Sequence, residues 1–229
     1  MKKEMKFYLL SILFKKKFES TFYVFLFITC GLFINKTLSS ENKVISGYYF
    51  AEPSTQSIQD DDFTNPGIFW VEQGKFLWVK KNINDESCSS CHGKIENMRG
   101  VSISYPKVLE NRKKLINLEQ RINICRKKLN MKEFQEESKD LLSLSTAISY
   151  QSRGLEFNYK VTEKNKKWYD IGKKLYYKKI GLMGLSCNQC HDDRVGLSLR
   201  AEKISQGQIN GFPSYLLRWS KVASVHKRI

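Results

Sequence analysis

Residues 74–81 read GKFLWVKK and are followed by Cys88-Ser-Ser-Cys91-His92; residues 172–179 read GKKLYYKK and are followed by Cys187-Asn-Gln-Cys190-His191. The lead-in strings are offset by 98 residues and the cysteine motifs by 99. C-x-x-C-H is the motif of covalent c-type heme attachment, because two thiols add to the vinyl groups of one porphyrin and the histidine binds its iron. Zinc binding or coincidence would not explain why four of the five cysteines beyond residue 40 lie in these motifs. The duplication predicts two covalently attached heme c groups.

Residues 1–40 have the pattern of a signal peptide. Lysines precede an apolar run over 22–34, which is shorter than the roughly 20 residues that span a bilayer. We expect cleavage near residue 40 and export to the periplasm, where bacteria attach heme to thiols. An uncleaved anchor is one alternative, and a lipoprotein modified at Cys30 is another, although Ile28 and Thr29 fit a lipobox poorly.

The chain is strongly basic, with a formal net charge of +16 at pH 7. A basic surface favours anionic ligands or acidic partners, and a solvated lysine-rich surface would explain the charge equally well. Basic and aromatic residues do not alternate in a nucleic-acid-binding pattern, so we expect no nucleic-acid partner.

The organisation beyond residue 40 is predicted to be helical. Residues 41–67 lack an apolar period and are predicted to form an extended arm with turns. Residues 68–157 and 158–229 are predicted to form two domains, with the boundary in the polar, lysine-rich stretch 155–167. Each lead-in string is predicted to be the first helix of its domain, and its glycine would allow another helix to approach closely.

Two apolar stripes at helical spacing lie between the motifs. The first runs through Leu115, Leu118, Ile122, Cys125 and Leu129. The second runs through Leu141, Leu144 or Ser145, and Ile148, with Ser138 as its N-cap and Gly154 at its end.

Each iron needs a ligand opposite the motif histidine. Met98, Met131 and Cys125 are the sulfur candidates for the first heme, and a buried, unreactive thiol is the alternative for Cys125. His226 is the candidate for the second heme, because Met183 lies too close before the motif to reach across the ring.

From Cys88 onward the chain resembles the SoxA family, the diheme subunit of the SoxAX cytochrome complex of bacterial thiosulfate oxidation. The similar strings are SCSSCHG at 87–93, NLEQRINICR at 117–126, YQSRGL at 150–155, LSCNQCHDD at 185–193, ISQGQINGFPSY at 204–215 and, more loosely, WSKVASVHKR at 219–228.

This resemblance implies an all-α fold of two tandem class I cytochrome c-like domains with one covalent heme each. It implies an L-cysteine S-thiosulfotransferase that couples thiosulfate oxidatively to a cysteine of a SoxYZ-like carrier and passes two electrons to an acceptor cytochrome, with a SoxX-like small cytochrome as partner. It also implies that Cys125 opposes His92 at the first iron, that His191 binds the second, and that Arg228 is an active-site arginine, with His226 beside it.

In the family, a cysteine a few residues beyond the H-x-R string binds the second heme and carries sulfur. Here the sequence ends one residue after Arg228, so we expect a fragment whose second domain is incomplete; a degenerate protein is the alternative. Two other functions remain open. They are a non-catalytic diheme electron-transfer cytochrome and a heme-bearing scaffold for a smaller catalytic cytochrome.

Overall fold

The segment predicted to be an extended arm is partly helical. A computed structural model describes residues 43–109, 113–157 and 159–229, so the predicted signal peptide lies outside the described residues. A 3-10 turn at Gly47–Phe50 is followed by helix α1 at Pro53–Asp60. Pro53 occupies the first helical position, where its missing N–H costs no hydrogen bond. The residues of α1 are all exposed or half-buried. Its sequence therefore has no apolar period from which the helix could be predicted.

Helices make up most of the remaining regular structure, as predicted. They are α2 (Ile68–Val79), α3 (Cys88–His92), α4 (Leu118–Lys128), α5 (Lys139–Tyr150), α6 (Lys166–Tyr177), α7 (Asn188–His191) and α8 (Val225–Arg228). Short 3-10 turns lie at Ile95–Met98, Ser102–Ser104 and Leu217–Trp219.

Three short antiparallel strand pairs correct the prediction of a purely α chain. β1 (Lys107–Leu109) pairs with β2 (Lys114–Ile116), β3 (Ser198–Leu199) with β4 (Glu202–Lys203), and β5 (Ser214–Leu216) with β6 (Lys221–Ala223). In the first pair Lys107 lies opposite Ile116, and in the third Ser214 lies opposite Ala223. Strands of two or three residues are too short to show the alternating pattern that predicts a strand.

The hydrophobic core is formed chiefly by α2 and α5. Its buried apolar side chains are Val71, Leu77, Trp78, Ile95, Leu118, Ile122, Leu141, Leu144, Ala147 and Ile148. The two helices are in close contact at Gly74, where a Cβ atom would lie 2.1 Å from the carbonyl oxygen of Ser143 and 2.5 Å from the Cβ of Ala147. Only glycine fits there, which confirms the predicted role of the first lead-in glycine.

The helix boundaries differ from prediction at two ends. Leu115 lies in β2, and α4 begins only after Asn117, whose side chain forms a reciprocal capping box with Gln120. Ser138 caps α5 as predicted, but that helix ends at Tyr150. Gly154, with φ of +78°, belongs to the turns that follow.

Val44–Ile229 form one compact unit, and the division into domains 68–157 and 158–229 remains a prediction. Within the described residues 159–229, the buried apolar side chains are Val222 and Ala223 of β6. In the described part of the chain, no helix is long and apolar enough to cross a membrane.

Candidate functional site

The thiols of both cysteine motifs are free. Ser87 caps α3, and a reciprocal bond with Ser90 closes its first turn; Cys187 is itself the cap of α7. In each motif the two cysteines are three positions apart on one helical turn, so their side chains lie on the same face. All four thiols and that of Cys125 are unbridged, as covalent attachment to vinyl groups requires.

Trp78 of the first lead-in string anchors the first motif. Its indole Nε1–H donates a 2.9 Å hydrogen bond to the carbonyl oxygen of Gly93, and its ring centroid lies 5.8 Å from that of His92. Asn97 Nδ2 donates to the carbonyl oxygen of His92 at 3.1 Å. These contacts fix the end of α3, and with it the position of the histidine.

Tyr176 takes the same place in the second repeat. It is the counterpart of Trp78 at an offset of 98 residues, and its hydroxyl donates a 2.6 Å hydrogen bond to Asp192, the counterpart of Gly93 at an offset of 99. Desolvation and the Asp192 carboxylate raise the pKa of Tyr176 well above its usual range. The amide of Cys187 also donates to the carbonyl oxygen of Tyr176, so one residue holds both ends of the motif.

The imidazole of His191 is oriented by a loop that lies fourteen residues further along the chain. Its Nδ1 lies 2.7 Å from the carbonyl oxygen of Ser205, and because a carbonyl can only accept, Nδ1 carries the proton. The Nε2 lone pair is then available to iron. Gly207, with φ of +70°, lies against the ring, where a Cβ would stand 3.2 Å from Cγ. This arrangement fits a heme ligand.

Cys125 interacts electrostatically with the first motif. Burial raises the pKa of the Cys88 thiol, the charge of Arg126 opposes that rise, and the sulfur of Cys125 adds to it. Cys125 therefore lies within electrostatic range of Cys88, although 37 residues separate them in the sequence. The thiol is half-buried.

Arg126 is held firmly beside these sulfurs. Its guanidinium stacks 3.6 Å from the ring centroid of Phe134, and its Nε donates to the carbonyl oxygen of Lys132 at 2.9 Å. Its Nη1 lies 3.9 Å from the sulfur of Met131. Met131, a candidate ligand, is thus in contact with a cation, while Met98 packs against the core.

Arg228 and His226 lie on α8, close to residues that the sequence analysis did not single out. Arg228 Nη2 lies 3.9 Å from a carboxylate oxygen of Glu202, and Arg218 bonds both oxygens of that carboxylate at 2.7 and 2.8 Å. Exposed His226 places its Nδ1 3.5 Å from the amide of Asn117, the cap of α4. His226 therefore contacts the N-cap of the helix that bears Cys125.

The C-terminal segment is attached to the first half of the chain. Ser224 caps α8 and donates a short hydrogen bond to Glu137, which precedes α5. Val222 and Ala223, the residues before it, are fully buried. The position of Arg228 thus depends on residues near α5.

The sequence analysis missed three residues that support the second motif, namely Ser205, Gly207 and Tyr176. The string ISQGQ contained the signal, because a glycine beside a polar turn is typical of a loop that lies against another group.

Among the described residues, no cluster of three or more His, Cys, Asp or Glu side chains is arranged to hold a metal ion.

Replacing Tyr176 by Phe should loosen the second motif. The change removes one hydrogen bond to a carboxylate and should lower the melting temperature of the heme-loaded protein by about 2–4 °C, the equivalent of about 1 kcal/mol. It should also shift the ferric EPR signal of one heme. Tyr177→Phe, at the exposed neighbouring ring, is the matched control and should change neither quantity. Equal effects of the two substitutions would show that Tyr176 does not support the motif.

The chain is similar to known proteins over most of its length. Residues 73–157 match the family model described as SoxA/TsdA, cytochrome c domain, and a cytochrome c domain implies covalently bound heme c. The chain is 35% identical over 187 residues to the L-cysteine S-thiosulfotransferase subunit SoxA of Paracoccus pantotrophus and 33% identical over 190 residues to that of Rhodovulum sulfidophilum. These matches cover 81% and 82% of this chain, and 64% and 66% of the relatives' own length.

A solved structure gives the same result. The crystal structure of SoxXA from P. pantotrophus contains a chain that superimposes with a TM-score of 0.77 at 35% sequence identity. The match covers 81% of this chain and 71% of that one. Sequence and fold agree that this chain belongs to the SoxA family of c-type cytochromes.

Proposed function

We propose that this chain is the diheme subunit of a periplasmic L-cysteine S-thiosulfotransferase. The observation that carries the proposal is its 35% identity to SoxA of P. pantotrophus, a subunit named for that activity. The second C-x-x-C-H motif lies beyond the matched cytochrome c domain, and the orientation of His191 by Ser205 supports a second heme there. The proposed ligands are His92 and Cys125 at the first iron and His191 at the second.

The proposed reaction joins thiosulfate to a cysteine of a SoxYZ-like carrier protein. The carrier thiol loses its proton, and a sulfur–sulfur bond forms between it and the terminal sulfur of thiosulfate. The product is a cysteine S-thiosulfonate, and two electrons and one proton are released. Bound heme c supplies one-electron acceptor capacity, and an acceptor cytochrome takes the electrons onward. A SoxX-like small cytochrome is the proposed partner, in line with the similarity to the SoxXA structure.

Arg228 is proposed to bind the thiosulfate anion. A guanidinium keeps its charge at any physiological pH and presents several donors to an oxyanion. Glu202, which contacts both Arg218 and Arg228, orients the two side chains before substrate arrives. The chain itself is basic, and this favours the approach of an anion.

A non-catalytic electron-transfer cytochrome is the second candidate function. It is favoured by the match of residues 73–157 to a cytochrome c domain, because a bound heme c can carry electrons whether or not sulfur is transferred.

The test measures sulfur transfer directly. The heme-loaded protein is combined with a SoxX-like cytochrome, a reduced SoxYZ-like carrier, thiosulfate and an oxidised acceptor. We expect one thiosulfonate on the carrier by mass spectrometry and two electrons in the acceptor for each.

Arg228→Ala should lower kcat/KM for thiosulfate by about 10²-fold or more, because a fixed counter-charge is lost at the anion. Lys227→Ala removes an equal charge one position away and is the matched control, with an expected change within about twofold. Reduction of the acceptor without modification of the carrier would favour the electron-transfer function instead.

A further inference from the structure

The carbonyl group that orients His191 belongs to an irregular loop. Residues 204–210, called the histidine loop below, lie outside the helices and strands. Within this loop the carbonyl oxygen of Ser205 accepts the 2.7 Å hydrogen bond of His191 Nδ1, and Gly207 lies against the imidazole ring. The peptide unit that carries this carbonyl is planar and joins Ser205 to Gln206. The direction of the carbonyl therefore depends on what holds the residues that follow it.

Two residues from the other end of the described chain hold this part of the histidine loop. The amide of Ile45 donates a 2.7 Å hydrogen bond to Gln206 Oε1, and Asn210 Nδ2 donates a 3.0 Å bond to Ser46 Oγ. A longer contact of 3.4 Å joins Ser46 Oγ to Asn210 Oδ1. The bonded pairs are 161 and 164 residues apart in the sequence. These bonds lie on either side of Gly207, and they form only when the two ends of the chain meet.

Ser46 also belongs to an ordered structure of its own. Its hydroxyl oxygen accepts a 3.3 Å hydrogen bond from the amide of Tyr48 and so caps the 3-10 turn that follows. The Tyr48 hydroxyl donates to Asp60 of α1 at 2.6 Å, and Gln56 Nε2 donates to the Tyr48 carbonyl oxygen at 2.9 Å. The Ser46 hydroxyl is therefore the point at which the histidine loop joins a hydrogen-bonded segment. Residues 45–62 are called the linking segment below.

The far end of the linking segment is attached to α5. The Asp62 carboxylate accepts a 2.7 Å hydrogen bond from the Tyr150 hydroxyl and a 2.5 Å bond from Arg153 Nη1. These two donors hold the pKa of Asp62 below its usual value, which favours the ionised carboxylate. Tyr150 is the last residue of α5 and packs against the hydrophobic core. The histidine loop is thus connected through the linking segment to the core of the first half.

We propose that Ser46 and Asn210 are positioning residues for the second heme. The hydrogen bond between them holds the histidine loop in the place where Ser205 accepts the hydrogen bond of His191 Nδ1. The inference rests on the proposed binding of a second heme by His191. A hydrogen bond at Nδ1 makes Nε2 a stronger donor to iron and so stabilises the ferric state. Loss of the bond between Ser46 and Asn210 should weaken this effect and raise the reduction potential of the second heme.

The setting of this bond makes a purely global role a poor explanation. Asn210 is exposed and Ser46 is half-buried, and one hydrogen bond between such side chains contributes little to the overall stability of a protein. The bond lies five residues after Ser205, in a loop without helix or strand. The consequence of losing it should therefore appear first at the imidazole that the loop contacts.

Proton exchange at the histidine ring and the reduction potentials test the proposal. Ser46→Ala and Asn210→Ala are made singly and together in the heme-loaded protein. Because the chain has three histidines, isotope-labelled ring nitrogens give few NMR signals. The signal that is lost when Cys187→Ala and Cys190→Ala are combined belongs to His191.

Each single variant should exchange the Nδ1 proton of His191 with solvent at least about tenfold faster than the parent, because the loop opens more often. The equilibrium constant for reduction of one heme should rise by about threefold or more. The double variant should change little beyond either single one, because both substitutions remove the same bond.

Two substitutions serve as controls. Ser46→Thr keeps the hydroxyl and should retain the proton exchange rate and the potentials of the parent. Ser54→Ala removes the hydroxyl of an exposed serine of α1 and should also change neither quantity. The ring signal of His92 should stay the same in every variant, because the first motif has no contact with the histidine loop in this argument.

Unchanged proton exchange and potentials in Ser46→Ala and Asn210→Ala would overturn the proposal, even if the melting temperature falls. Equal changes at His92 and His191 would also overturn it, because the effect would then be global. The pyridine hemochrome of the parent separates this proposal from the proposed function. One heme per chain would contradict both, whereas two hemes with unchanged exchange would contradict this one alone. Faster exchange at His191 in a protein that transfers no sulfur would support this proposal and contradict the proposed function.

Discussion

Two covalently bound hemes per chain are expected when the protein is produced with a c-type heme maturation system. Each motif presents two unbridged thiols on one helical turn, followed by a histidine. In each repeat an aromatic side chain of the lead-in helix anchors the residue after that histidine. The mass of the denatured chain and the pyridine hemochrome absorbance per chain measure the number of hemes.

Removal of the two thiols of one motif should halve the number of covalently bound hemes per chain. Cys187→Ala combined with Cys190→Ala should leave one covalent heme, held by the first motif. Cys125→Ser is the matched control, because it removes a cysteine outside the motifs and should leave two. A single heme in the unmodified chain would contradict the assignment of two heme-bearing repeats.

The features that the sequence predicted well depend on short-range patterns. Ser138 caps α5 through its own backbone neighbours, and the spacing of Leu141 and Ile148 places them in the core. The close helix packing at Gly74 could be predicted because glycine is unfavourable within a helix. An apolar helix that contains one usually packs closely against another element at that position. In these cases the determining interactions lie within a few residues of each other.

The features that escaped prediction depend on contacts between distant parts of the chain. Nothing near His191 in the sequence indicates that the carbonyl oxygen of Ser205 accepts a hydrogen bond from its Nδ1. Helix α1 is held by polar contacts, such as that of Tyr48 with Asp60, and lacks an apolar stripe. Leu115 fits the helical spacing of the first apolar stripe by chance and lies in β2. Helix α4 begins after Asn117, because Asn117 and Gln120 form a capping box there.

The lead-in strings show the limit of a local pattern. GKFLWVKK and GKKLYYKK share their glycine, and both form helices. Gly74 meets α5, while around Gly172 no described atom lies within 4 Å of a Cβ. The string specifies a face that can receive a helix, but the presence of that helix depends on residues elsewhere.

Substitution of Cys125 should change the first heme more than any other single substitution outside the two motifs. Cys125→Met should raise the reduction potential of one heme by on the order of 100 mV, because a neutral thioether stabilises ferric iron less than a thiolate does. Potentiometric titration followed by the visible spectrum measures the shift. Cys125→Ser should instead open a coordination position, giving a high-spin ferric signal and binding of added imidazole or cyanide.

The competing candidates provide the controls. Met98 packs against the core and Met131 contacts Arg126, so Met98→Leu and Met131→Leu should leave the low-spin spectrum and both potentials unchanged. Cys125 is half-buried and within electrostatic range of Cys88, which favours it over either methionine. If both Cys125 variants keep the parent spectrum while a methionine variant loses it, the sulfur that faces His92 across the first iron is a thioether, and Cys125 serves only in packing.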